Sequence, residues 1–345
     1  MNETLPPWLM RELDVLLAQR GHALLLDGPA GLGQYALALA LATAWLCEAP
    51  RQGRACGGCP SCHAVQARTH PDLFVLLPEA LALELGWPLD PLTQERLERK
   101  EIKPSRQIRV EATRAALAFA QTTSARGRAK VVLIHPAERL NAESANALLK
   151  TLEEPPPAVR FVLATQAAHA LLPTIRSRCQ RHALGWPPEQ EGLAWLQQVA
   201  AQEGLTAQPD ALMACWRLAA GRLDEALAWA RLGMDAALWR RLPRLLADAD
   251  LEVVADWPLP RQLTLLMLLC HDALVQAHGG TPRHFEAAAL PAGADPARLA
   301  ALWRALQQAQ RSIEHPHQAA LWTAAWAERV RAAFAAAGPA LHSRA

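Results

Sequence analysis

Short apolar runs alternate with longer helix-forming stretches through the first half of the chain, and then the short runs stop. His22 to Leu26 is an apolar run of strand length, and after a glycine-rich turn Ala36 to Leu46 carries helix-forming residues. Val131 to Ile134 and Arg160 to Thr165 repeat the strand pattern, rich in β-branched or aromatic residues and followed by polar or helical segments. Between them Asn141 to Glu154 reads as an amphipathic helix, apolar at Leu148, Leu149 and Leu152 and stopped by Pro155-Pro156-Pro157. Strands alternating with helices predict an α/β domain built on a parallel sheet.

Beyond Leu184 the strand pattern fades, and Trp186-Pro187-Pro188 marks a boundary. Glu189 to Gln202 and Pro209 to Leu232 read as helices, and a second boundary is expected near Gly233. A further helical block follows, with apolar runs at Leu263 to Cys270 and Ala319 to Phe334, a loop at Pro291 to Asp295 and a frayed tail from Gly338. The expected division is thus an α/β domain over 1–184, a small helical domain over 185–233 and an all-α domain over 234–337. Residues Pro78 to Pro104 mix charge with proline and show no clear element, as a surface insertion or partly disordered loop would.

With 345 residues the chain is long enough for two or three such domains, and its 51% hydrophobic content, rich in Ala and Leu, favours packed helices. A net charge of +2 is too small to imply a polyanion partner. The first ten residues lack a basic segment ahead of an apolar stretch, and the longest apolar run, Tyr35 to Cys47, is too short to span a bilayer, so a cytoplasmic protein without a membrane partner is expected.

Residues 28 to 35, Gly28-Pro29-Ala30-Gly31-Leu32-Gly33-Gln34-Tyr35, have the spacing of a phosphate-binding loop. The two residues that carry its chemistry are replaced: an uncharged amide, Gln34, stands in place of the lysine that meets the β/γ-phosphates, and Tyr35 stands in place of the hydroxyl that meets Mg²⁺. The strand ending at Ile134 is a second test, because a hydrolytic site needs a carboxylate there and the chain offers His135 and Pro136. Glu138 reads as a solvated carboxylate at a helix start. Gly28, Gly31, Gly33 and Gln34 therefore form a degenerate loop, in which ATP is expected neither to be hydrolysed nor to be held beyond what the Gly31 and Gly33 amides can cradle.

Cys47, Cys56, Cys59 and Cys62 follow the pattern C-x8-C-x2-C-x2-C, with Gly57, Gly58 and Pro60 in the tight turns. Four thiolates at that spacing predict a closed, structural Zn²⁺ site with no open place for a substrate water. His63 is adjacent to Cys62 and reads as a solvated side chain, while Cys179, Cys215 and Cys270 are scattered. Trp303, Trp322 and Trp326 lie in apolar helical patterns without interleaved basic residues, which points to packing rather than base stacking.

The glycine loop, the cysteines after its helix, the run Ser144-Ala145-Asn146-Ala147-Leu148-Leu149-Lys150-Thr151-Leu152-Glu153-Glu154-Pro155-Pro156 and Ser177-Arg178-Cys179 together resemble bacterial clamp-loader AAA+ subunits. The likeness is strongest from Lys130 to His182 and weaker in the C-terminal helices, where Glu314-His315-Pro316-His317 is similar to a late motif of the family. The resemblance implies an AAA+ domain followed by a helical lid and a C-terminal collar domain. It implies a non-catalytic member of a hetero-pentamer in the DNA polymerase III holoenzyme, beside ATP-binding γ/τ-type and δ-type subunits. Through that complex the chain would reach the sliding clamp and primed DNA. By the same resemblance Arg178 would act in trans, on the γ-phosphate held by a neighbour, with Arg176 the lesser candidate.

Other positions of the family pattern depart from it. Thr165 matches the first γ-phosphate sensor but reads as a structural hydroxyl, since no competent loop faces it. In Gly221-Arg222-Leu223-Asp224-Glu225-Ala226-Leu227, similar to the second-sensor helix, Asp224 occupies the usual arginine position. Two other functions stand as alternatives. A motor ATPase of the same family would need Lys at position 34 and acids at 135 and 136; a zinc-dependent nucleic-acid-binding protein would need a basic stripe beside the cysteines, where only Arg51, Arg54 and Arg68 lie.

Overall fold

The computed structural model describes residues 5–205, 208–311 and 319–335, and the chain divides into two compact units, Met1–Trp186 and Pro187–Ala345. The Glu314-His315-Pro316-His317 motif lies outside the described residues.

The first unit runs α1 (Pro7–Ala18), β1 (Ala23–Asp27), α2 (Gln34–Leu46), α3 (Pro60–Gln66), β2 (Leu73–Leu76), α4 (Glu79–Glu84), α5 (Pro91–Glu98), α6 (Val110–Gln121), β3 (Lys130–Ile134), α7 (Ala142–Glu153), β4 (Val159–Thr165), α8 (Pro173–Arg176) and β5 (Gln180–Ala183). Its five strands are all parallel in the order β2-β3-β4-β1-β5. The three central strands are buried almost throughout, which is why they read as continuous apolar runs rather than alternating ones. The two outer strands are not among those expected. β2, Leu73-Phe74-Val75-Leu76, is an apolar run as short as Val131 to Ile134 that was passed over, whereas β5, Gln-Arg-His-Ala, is mostly exposed and carries no apolar run to mark it.

Helix α2 has no polar face beyond Thr43, as expected of a helix pressed onto a sheet, and it buries Leu37, Leu41 and Leu46 completely or nearly so. Helix α7 starts where Asn141 accepts a hydrogen bond from the Ser144 amide at 2.8 Å, and the Ser144 hydroxyl donates to Ile108 O at 2.9 Å. Residues Pro78 to Pro104 differ from expectation, because they contain α4 and α5. Both are short, and α5 buries no residue, so no periodic apolar face announced them; its start is fixed by Asp90, which accepts from the Thr93 amide.

Because the sheet is parallel, the segments that follow β1, β3 and β4 emerge at one edge, with Asp27 in register with Thr165 and Ile134 with Leu163. The glycine loop, His135 and Thr165 meet there, in the crevice where an open parallel sheet places ligands.

The second unit is helical among its described residues: α9 (Glu189–Gln202), α10 (Pro209–Leu218), α11 (Leu223–Arg231), α12 (Ala236–Ala247), α13 (Leu259–Ala277), α14 (Pro296–Gln310) and α15 (Ala319–Phe334). The single helix expected over Pro209 to Leu232 is two, broken where Ala220 and Gly221 adopt positive φ. One apolar core runs from Leu196 on α9 to Ala333 on α15 and takes in Trp322 and Trp326; Trp303 packs against it. Helix α9 has a glycine in its first turn for a steric reason. A Cβ at Gly192 would lie 2.1 Å from the Trp216 ring.

Candidate functional site: a filled phosphate loop, a four-sulfur cluster and a paired arginine

Gly31 and Gly33 take the left-handed backbone that the loop requires, at φ 83° and 84°. The loop between β1 and α2 is thus formed, but its interior is occupied. Gln34 is 2% exposed, and its side-chain amide donates to Gly28 O at 2.6 Å and Pro29 O at 2.7 Å. Both donors of that amide are spent on the loop's own carbonyls, and an amide carries no charge with which to attract a phosphate. Leu9 of α1 lies so close that a Cβ at Gly33 would be 2.7 Å from its methyl, and Leu184 crowds Gly28 at 3.0 Å by the same measure.

The neighbouring space is filled by aromatic rings. Tyr35 lies against His135 with ring centroids 5.2 Å apart, and its hydroxyl accepts from the Trp87 indole at 2.5 Å. Trp87 belongs to the segment 78–104, where it follows α4 and is itself buried, with the Arg68 guanidinium 5.9 Å from its ring. Burial holds the His135 pKa below the ordinary value, so the imidazole is neutral, and its Nδ1 has no partner among the described residues.

Glu138 is not the solvated carboxylate expected from sequence. It accepts from the Thr165 hydroxyl at 2.7 Å and from the Gln166 amide at 3.3 Å, tying the end of β4 to the turn after β3. Thr165 is fully buried and committed to this bond. Sequence reasoning missed Trp87 and Leu9 as parts of this region. Neither belongs to a motif, and the one available signal was a tryptophan inside an otherwise polar, proline-bearing segment.

One helix length away, the structure brings Cys47, Cys56, Cys59 and Cys62 together, with all four sulfurs within 4.8 Å of one another. The Cys47–Cys59 and Cys56–Cys62 separations are 3.8 and 4.0 Å. A metal–sulfur bond of about 2.3 Å in a tetrahedron requires sulfurs about 3.8 Å apart, and a disulfide would require about 2.05 Å. The residues present fit a tetrahedral cation. Backbone amides support the sulfurs, from Cys56 to Cys47 at 3.2 Å and from Cys62 to Cys59 at 3.4 Å. Burial pushes the Cys62 thiol up to about 12. Burial acts on Cys59 in the same direction, yet backbone amides and neighbouring thiols outweigh it and bring that group down to about 6. Four such sulfurs cannot all ionise side by side without a cation among them. His63 is exposed.

A polar relay joins this cluster to the sheet. The Ser61 hydroxyl donates to Glu48 at 2.7 Å and accepts from His70 Nε2 at 3.1 Å, while His70 Nδ1 accepts from the Asp72 amide. That arrangement fixes the His70 tautomer. Asp72 in turn accepts from Ser124 and from the Ala125 and Arg126 amides.

Arg178 follows α8 on the same unit. Ile175 and Cys179 are buried in the sheet's core and bracket it, leaving its side chain 30% exposed. Its Nε and Nη2 donate to Glu153 Oε2 at 3.1 and 2.8 Å, and its Nη1 donates to Thr174 O at 3.0 Å. Arg176 is exposed. In the second unit Arg222 caps the start of α11 and donates to Ala219 O, while Asp224 is exposed.

A family model described as DNA polymerase III, delta subunit, matches residues 14–186. DNA polymerase III subunit delta' of Escherichia coli (strain K12) is 36% identical over 285 residues, which cover 79% of this chain and 77% of that protein. Subunit delta' of Pseudomonas aeruginosa is 39% identical over 186 residues, 54% of this chain and 50% of that protein. Subunit tau of Escherichia coli (strain K12) is 33% identical over 207 residues, 60% of this chain and 28% of that protein. With so large a share of its residues aligned to these proteins, and with the parallel sheet and glycine loop in place, the chain belongs to the delta' family of DNA polymerase III subunits.

Proposed function

We propose that the chain is a non-hydrolysing clamp-loader subunit of the DNA polymerase III holoenzyme. It sits in a hetero-pentameric ring with ATP-binding γ/τ-type and δ-type subunits and helps them load the sliding clamp onto primed DNA. Its helical unit supplies a lid over 185–233 and a collar over 234–337 that joins the ring. The four cysteines hold a structural Zn²⁺ that staples the segment after α2, and no chemical step passes through the metal.

One observation carries the reading. The Gln34 amide is closed onto the Gly28 and Pro29 carbonyls, so the loop is satisfied by its own side chain. A phosphate entering there would meet a spent Gln34 amide in place of a lysine, and a metal would meet Tyr35 and neutral His135 rather than carboxylates. What the chain contributes to ATP hydrolysis is then a cation delivered outward. Arg178 is the residue in place for it, since its guanidinium is held at the surface of the α/β unit by a rigid turn. A guanidinium supplied in trans to a γ-phosphate accelerates phosphoryl transfer by about 10³ to 10⁵.

ATP turnover measured on the purified chain, on its ATP-binding partners and on the mixture tests this. The chain alone should be inactive and the mixture faster than the partners. Arg178→Ala should leave assembly intact and remove about 10³-fold or more of that stimulation. Turnover by the chain alone, or full stimulation by the variant, would refute the proposal.

A further inference from the structure

Helix α7 ends in a way that its own stability does not favour. Glu153 is its last residue, and Glu154 follows as the cap, so two carboxylates sit at the negative end of the helix dipole, where cations are preferred. Local rules broken without local gain point to a role elsewhere. The role is visible in what Glu153 touches: Oε2 accepts both Nε and Nη2 of Arg178, 25 residues further on.

The geometry of the fork matters more than the pairing. A guanidinium has five N–H donors in one plane. Glu153 takes the Nε/Nη2 edge, and the Thr174 carbonyl, one of the acceptors left over at the end of α8, takes one donor of Nη1. Three of the five are used within the chain. The remaining donors, one on each terminal nitrogen, have no partner among the described residues. The carboxylate is 60% exposed, so the pair adds little to stability and its effect is on the orientation of the arginine.

We infer that Glu153 is a positioning residue for Arg178: by holding one edge of the guanidinium it fixes the plane and direction of the fork, leaving the outer N–H groups free to meet an anionic phosphoryl oxygen on a neighbouring subunit. This rests on the proposed in-trans role of Arg178. Ordering the side chain before the encounter lowers the entropy lost when the phosphate arrives. Glu153 touches no reacting atom, and it acts only through the arginine.

The test is a double-mutant cycle in the reconstituted complex, reading kcat and KM for ATP separately. Glu153→Ala should lower the stimulated kcat about fivefold to tenfold with KM within about twofold, and Glu153→Gln, which keeps reach but loses charge, should fall between it and the parent. In the Arg178→Ala background Glu153→Ala should do nothing further. If Arg178→Ala is itself silent, both the in-trans reading and this inference fall. If Arg178→Ala is damaging while Glu153→Ala and Glu153→Gln leave kcat unchanged or raise it, the inference falls and the reading stands. A loss from Glu153→Ala that is equally large without Arg178 would show that it acts by another route, and would also overturn the inference. Should Glu153→Ala fail to assemble, Glu153→Gln is judged by the same criteria.

Discussion

The glycine loop and the cysteine cluster sit at opposite ends of α2, and they have opposite relations between backbone and side chain. In the loop the backbone of a phosphate site is intact, down to the positive φ of Gly31 and Gly33, while the side chains that would use it have become Gln34 and Tyr35. In the cluster the ligating side chains are complete, and the backbone has little regular structure of its own between Cys47 and α3. The lesson is about what holds each one in shape. A loop without its ligand needs another filling, which Gln34, Leu9 and the Tyr35–His135–Trp87 group supply from within the protein. A cluster of thiols has no such internal substitute, because bringing four sulfurs together is unfavourable unless a cation neutralises them.

The largest effect should therefore come from the proposed metal. Stripping it with a strong chelator, or replacing Cys59 by Ser, should destabilise the α/β unit by several kcal/mol, since structural Zn²⁺ contributes about 10–16 kcal/mol of apparent binding free energy in small folds. Thermal unfolding paired with native mass spectrometry would read both the stability and one zinc per chain. A chain that unfolds at the same temperature with and without the metal would break the contrast.

Next in size is the filling of the loop. Trp87→Ala removes a buried indole and leaves the Tyr35 hydroxyl without its donor, which should cost about 3 kcal/mol in denaturant unfolding. Adding ATP and Mg²⁺ should not restore that loss. Recovery of stability with nucleotide would mean that the pocket beneath is a working site and that the rings merely cover it.

The smallest effect is a pH dependence. Burial lowers the pKa of His135 from its ordinary value of 6.5, with Tyr35 against one face and Glu138 and the Ala164 carbonyl the polar groups near it. Below pH 6.5 the unfolded chain takes up this proton before the folded one does, so stability is fully present above that pH and declines as the pH falls toward the native value. His135→Gln should flatten this part of a stability-against-pH curve. An unchanged slope would mean that the ring is not desolvated as described.

Much of this was legible in the sequence because it is local. The three central strands, α7, the loop spacing and the four cysteines are each written in short stretches of sequence, and their chemistry follows from residue type and interval alone. The replacements at positions 34 and 35 were equally plain. What the sequence could not give was anything decided by residues far apart in the chain. The edge strand β5 is polar because only pairing with β1 makes it a strand. Glu138 looked solvated until β4 brought Thr165 onto it. Trp87, 52 residues from Tyr35, had no pattern to mark it as part of the loop's filling, and α7 gave no sign that its terminal Glu153 would meet Arg178. Sequence determines local conformation and the inventory of chemical groups. Which donor meets which acceptor across the sheet is set by packing, where burial leaves a polar group no partner except the one the fold delivers.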